Sequence, residues 1–142
     1  MRLKYSFAVM IILALTACST KRVVSEPQPD ILSGEWVMMS WKDFVNLPAA
    51  FPTGVPKLVL NTEENRVHGY NGCNQIHGQF RFDRNRSSLQ FFGIGSTRMF
   101  CQSVPENELS STISMVNSYR VTKDELTLLR DNEVLMVFKR QE

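Results

Sequence analysis

The sequence predicts a mainly β (α+β) protein, a curled antiparallel sheet or small β-barrel of about eight short strands with one helix. Three observations carry that expectation. Apolar residues alternate over short runs separated by close turn signals. A helical apolar period occurs in one segment, around Leu109, Ile113 and Val116. The middle of the chain, residues 67–101, is rich in glycine and holds two of the three cysteines and both histidines.

The first 17 residues are set apart from the fold. Arg2 and Lys4 form a basic start, and residues 7–15 form an apolar run. That run falls short of the roughly 20 apolar residues that a membrane-spanning helix needs, so it reads as a secretory signal. It ends in Leu15-Thr16-Ala17-Cys18, which looks like a bacterial lipobox with Cys18 as the lipidated residue. Residues 18–30 are polar and carry Pro27 and Pro29, a tether between anchor and domain. Ser19 stands where an Asp would retain a lipoprotein in the inner membrane, so the expected location is the outer membrane, facing the periplasm. The folded domain is expected over residues 31–142.

Charge narrows the function. The chain has 16 Lys and Arg against 14 Asp and Glu, and losing Arg2 and Lys4 with the leader makes it formally neutral. Neutrality argues against nucleic acid, which demands a clustered basic face.

Within the domain, residues 35–41 read as a first strand, with Trp36, Met38 and Ser40 on one face and Val37, Met39 and Trp41 on the other. Pro48, Pro52, Gly54 and Pro56 make the next stretch a loop. Strands follow at 57–60 and 66–70 around a turn at Glu63-Glu64-Asn65, then at 78–83 and 88–92 around a polar turn at 84–87. Gly93 and Gly95 read as the end of the last of these. Ser103 with Glu106 fits a capping box with Pro105 in the first turn, so the helix is expected to run from there to about Asn117. Three strands finish the chain, at 118–122, 125–130 and 133–139, with Asp131-Asn132 as a hairpin turn. The last is apolar on both faces and belongs in the middle of the sheet or under the helix.

The central cysteines admit three readings. Export favours a structural disulfide between Cys73 and Cys101. His68, Cys73, His77 and Cys101 could be written as a zinc set, although the spacing lacks the close ligand pairs of structural zinc sites. A catalytic cysteine with a histidine partner needs a free thiol and an orienting group that nothing in the pattern marks. No metal, cofactor or catalytic residue is therefore expected. Gly69, Gly72 and Gly78 read first as backbone devices, and Arg98 and Glu108 are the charged residues nearest the motif. Phe51, in the proline-rich loop, is the candidate anchor if the protein inhibits an exported hydrolase. A further alternative is a barrel that holds a small ligand.

Gly69-Tyr70-Asn71-Gly72-Cys73-Asn74, then Gly78-Gln79-Phe80, then Thr97-Arg98-Met99-Phe100-Cys101, then Glu108, resemble the META domain family, and within it the HslJ-like heat-inducible lipoproteins. The motif residues of that resemblance are Gly69, Gly72, Asn74, Gly78, Thr97, Met99 and Glu108. It implies a small curled β-sheet with one helix, an envelope location, and a link to heat stress and novobiocin tolerance. It implies no enzyme activity and no ligand. The expected partners are a membrane, through Cys18, and an envelope protein.

Overall fold

The computed structural model describes residues 30–42, 44 and 46–142. The leader at 1–17, Cys18 and the tether up to residue 29 lie outside the described residues. Eight strands and two helices follow one another as β1 (Gly34–Trp41), α1 (Leu47–Ala50), β2 (Lys57–Asn61), β3 (Arg66–Tyr70), β4 (Gln75–Asp83), β5 (Ser88–Ser96), α2 (Glu106–Met115), β6 (Ser118–Val121), β7 (Glu125–Arg130) and β8 (Glu133–Arg140). Strand order follows chain order, every neighbour is antiparallel, and β8 pairs back onto β1. The sheet thus curls until its edges meet, which removes unpaired strand edges. The ring is irregular, since β5 and β6 share a single residue pair, Ser88 with Ser118.

The inside is filled by large side chains. Trp36, Phe80, Phe138, Leu126, Leu128 and Met136 are all buried completely or nearly so, and they belong to one contiguous core. Helix α2 adds Leu109 and Ile113 to that core, and Trp41 Nε1 donates to Thr112 Oγ1 at 3.2 Å. The helix lies against β5 and covers the end of the barrel at which β1 and β5 finish.

The opposite end receives the chain. Asp30 accepts from Ser33 Oγ at 2.7 Å, from Arg84 at 3.0 Å and from Thr62 Oγ1, which fastens it to the β2–β3 and β4–β5 turns. Burial works against its charge, but the Ser33 hydroxyl, the backbone amides of Leu32 and Ser33 and the Arg84 guanidinium hold its carboxyl below the usual aspartate range. A carboxyl lowered in the folded state stabilises the fold at neutral pH, and that contribution fades as pH falls through its lowered value.

The structure departs from the sequence-based expectation at four places. The two faces of β1 exchange at a bulge, because Met38 pairs with Phe138 while Ser40 pairs with the adjacent Val137. Met39 is the extra residue, so Trp41 turns into the core and Met39 turns out, 59% exposed. A simple alternation cannot foresee this, since one inserted residue flips every side chain after it. Met39→Lys is therefore expected to change stability by less than about 0.5 kcal/mol. Met38→Ala should cost about 2 kcal/mol. Urea titration of both variants checks the pair.

Strand β5 does not stop at Gly93. A second bulge sets Gly93 and Ile94 opposite Gly78, and pairing resumes with Gly95 against His77. The loop between β1 and β2 holds a short helix, α1, with Asn46 as its cap and Pro48 in its first turn. The helix count is thus two, not one. Finally, α2 has no capping box. Pro105 is its N-cap with no side-chain bond, and Ser103 sits at φ 64° outside the helix. Proline disfavours helical backbone in the residue before it, so the helix cannot begin upstream of Pro105.

Candidate functional site

The β3–β4 connection is a tight turn built by one buried asparagine. Asn71 Oδ1 accepts from the backbone N–H groups of Cys73 at 3.0 Å and Asn74 at 2.6 Å, and Asn71 N–H donates to Asn74 O at 3.0 Å. Asparagine suits this work because its short carboxamide reaches its own backbone two and three residues on. Gly72, at φ 95°, is the point of sharpest turning, and a Cβ there would lie 2.2 Å from the Phe51 ring. Thr53 Oγ1 donates to Gly72 O and ties the turn to the β1–β2 loop. Gly72→Ala meets both the left-handed backbone and the ring. It should cost about 2 kcal/mol, read as a lowered urea midpoint.

Asn74 is the hub. Its Oδ1 accepts from Thr97 Oγ1 at 2.7 Å and from Met99 N–H at 2.7 Å. Its Nδ2 donates to Met99 O at 3.1 Å and to Glu106 Oε2 at 2.6 Å. One side chain therefore joins the β3–β4 turn, the β5–α2 loop and the first turn of α2. Asn71 Nδ2 also donates to Glu106 Oε2, at 3.4 Å. Cys73 and Cys101 close the same ring of elements with a disulfide, their Cα atoms 5.8 Å apart. Both asparagines and Cys73 are buried. A shallow depression of about 270 Å³ lies between the loop and α2, lined in part by Asn74, Arg98, Phe100 and Glu106.

The remaining motif residues divide by role. Gly69 pairs with Leu58 across β2 and β3, and a Cβ there would fall 2.1 Å from the carbonyl oxygen of Lys57. Gly78 is the β4 residue opposite the β5 bulge. Thr97 binds Asn74 through its hydroxyl, and Thr97 N–H donates to Gln75 O at 3.0 Å. Met99 contributes its backbone to Asn74 while its side chain is 60% exposed. Glu108 is exposed on α2, and its carbonyl accepts from Thr112 Oγ1 at 2.8 Å. The acid that enters the site is Glu106, which the sequence pattern places in a capping box with Ser103. Its position directly after Pro105, in the first turn of a helix, was the available signal.

The four residues of the possible zinc set do not converge. His68 and His77 are exposed cross-strand neighbours on β3 and β4, whereas Cys73 is buried in the turn and its sulfur is bonded to Cys101. Both thiols are taken, so neither is free to act as a nucleophile in this state. Among the described residues no cluster of three or more His, Cys, Asp or Glu is placed to hold a metal ion. Phe51 is not an exposed anchor. It is 2% exposed, beneath Gly72 and stacked on Trp41 with centroids 5.9 Å apart.

Comparison with known proteins follows the same lines. The family model described as META domain matches residues 29–142. No curated protein matches the chain significantly. A solved structure of a protein from Burkholderia xenovorans is 22% identical with a TM-score of 0.60, and the match covers 77% of this chain and 82% of that one. A DUF4847 family protein from Bacteroides vulgatus is 13% identical with a TM-score of 0.56, covering 80% of this chain and 95% of that one. Likeness at these identities speaks for a shared fold alone. The family match spans every described strand and helix together with the asparagine–cysteine turn, and on it the chain belongs to the META domain family.

Proposed function

We propose that the protein is a non-enzymatic, HslJ-like lipoprotein of the bacterial cell envelope. In this reading Cys18 carries the lipid that anchors it to the outer membrane, and the domain acts in envelope stress, including heat and novobiocin, by binding a protein or another envelope component. The observation that carries the non-enzymatic part is the use made of the motif residues. Asn71, Asn74, Thr97 and Glu106 bind one another and the backbone, and Cys73 and Cys101 bind each other. Each of these groups is occupied in holding the fold, where an acid, base or nucleophile would have to face a substrate.

The large side chains buried inside the described barrel, Trp36, Phe80 and Phe138 among them, count against a small-ligand carrier, which would need an apolar cavity of about 300 Å³ or more. The depressions of 410 Å³ and 350 Å³ around His68 lie on the outside of the sheet.

Metabolic labelling with palmitate tests the anchor. The wild-type chain should take up label and sediment with outer membranes, and Cys18→Ala should do neither. Equal labelling of the two would remove the anchor from the proposal. A deletion strain that grows as the parent does under heat and novobiocin would remove the stress role.

A further inference from the structure

Residues 97–101 carry the most exposed apolar side chain of the described structure. Phe100 is 91% exposed and Met99 60%, with Arg98 exposed beside them. Burying a phenylalanine on a partner would be worth about 1.5–3 kcal/mol, and here two adjacent apolar side chains stand in water on one loop.

The backbone of this loop is held in a particular way. Met99 N–H and Met99 C=O both bond to the one carboxamide of Asn74. Two groups of one residue reach the same side chain only when they point the same way, as they do in an extended chain. Thr97, two residues earlier, also turns its N–H inward, to Gln75 O. The alternate residues, Arg98 before Met99 and Phe100 after it, then turn their backbone groups outward, away from the domain. The loop is thus an extended segment whose inner residues are clamped and whose outer residues offer unpaired edge groups with an aromatic side chain. The bond after Phe100 is held on both sides, by the Met99–Asn74 pair before it and by the Cys101–Cys73 disulfide after it.

We infer that residues 98–101 are a substrate-like docking loop for an exported serine endopeptidase that takes a large aromatic side chain into its specificity pocket, with Phe100 as the residue read. Such an enzyme recognises an extended strand by pairing with the backbone of alternate residues and filling one pocket. A loop already fixed in that form loses little conformational freedom on binding. The double restraint also resists the separation of chain ends that turnover requires, so the loop occupies the cleft without being consumed. This inference rests on the reading of the domain as a non-enzymatic binding protein in an exported compartment.

The position of the loop favours a protein over a membrane as its occupant. The chain enters at the β2–β3 and β4–β5 turns, where Asp30 is fastened. Phe100 lies at the other end of the barrel, about 25 Å away along the nine residues of β4. A domain tethered by its N-terminal side presents this loop away from its anchor.

The test uses the full-length chain in detergent, with chymotrypsin as the aromatic-preferring probe, trypsin as the control and a short chromogenic peptide as substrate for each. Competitive inhibition of chymotrypsin at near equal concentrations, with the chain left uncut and trypsin unaffected, is the expected result. Phe100→Gly should weaken inhibition by about 100-fold. Phe100→Arg should move it from chymotrypsin to trypsin, which a merely structural role would not do. The side chain is exposed, so both variants should melt as wild type does. The inference is overturned if chymotrypsin turns over normally, if it cuts the loop as an ordinary substrate, or if inhibition ignores residue 100. Phe100-dependent sedimentation of Cys18→Ala with phosphatidylglycerol vesicles, with both peptidases untouched, would likewise overturn it in favour of a membrane-dipping loop. Palmitate labelling is indifferent to all these outcomes, so loss of the loop's role and loss of the anchor are read separately.

Discussion

Removing the disulfide by Cys73→Ala with Cys101→Ser should destabilise the domain by about 3–4 kcal/mol, lowering its melting temperature by about 15 °C. The two cysteines are 28 positions apart, and in the chain-entropy account a loop of that size restricts the unfolded chain by this amount. Alanine is the substitution of choice at Cys73, which is fully buried, because a serine hydroxyl there would add its own desolvation cost. Cys101 is partly exposed and tolerates serine. A domain of this size has about 5–15 kcal/mol in total, so the link carries a large share. The bond also spans the seam between the β3–β4 turn and the β5–α2 loop, which are otherwise joined by side-chain bonds. Reduced protein should therefore expose residues 98–104 to proteolysis before it unfolds as a whole. Thermal melts of oxidised wild type, reduced wild type and the double variant provide the check. Three melting temperatures within about 3 °C of one another would show that the link contributes nothing to stability.

Some of this architecture could be read from the residues, and the reasons are specific. Phe80 and Phe82 alternating with Gln79 and Arg81 gave a strand, and Leu109, Ile113 and Val116 gave a helix, because burial imposes periods of 2 and 3.6. Asp131 at φ 55° makes the hairpin turn expected of Asp131-Asn132. A further bulge accounts for the apolar run in β8: Met136 pairs with Leu128 and Val134 with the adjacent Leu129, so Leu135 is the extra residue, and Leu135, Met136 and Phe138 are all buried while Val134 is exposed. What escaped the sequence depends on contacts between distant residues. The bulge at Met39 and the one at Gly93 insert residues that local alternation treats as in phase. The short helix α1 hides among prolines that look like a loop. Phe51 looks like a loop-tip anchor until Gly72 and Trp41 are seen to enclose it. The site itself was legible as a group of residue types, glycine, asparagine and cysteine, but not as a bonding pattern. That Glu106 and not Glu108 reaches Asn74 depends on where α2 begins, and Pro105 decides that through its effect on Val104.

Asn74→Ala is expected to cost about 3–4 kcal/mol, as much as the disulfide, although it removes no apolar contact of note. The side chain makes four hydrogen bonds, and one of them, to Glu106 Oε2 at 2.6 Å, is to a charged group. Neutral bonds contribute about 1 kcal/mol each and a charge-assisted one about 1.5–3 kcal/mol. The sum exceeds the prediction because residues 97–100 can move outward and recover water, which offsets part of the loss. Asn74→Asp separates the roles of the two ends of the carboxamide. Aspartate keeps the acceptor for Thr97 and Met99 N–H, but it loses both donors and sets a second carboxylate against Glu106. At pH 7 it should therefore be at least as unstable as Asn74→Ala, since like charges at such a distance repel. Urea titrations of the three proteins at pH 7 decide the matter. A double-mutant cycle with Glu106→Gln should show coupling of about 1 kcal/mol or more. Additive losses, or an Asn74→Ala variant within about 1 kcal/mol of wild type, would mean that the disulfide alone holds the loop and that Asn74 is a bystander.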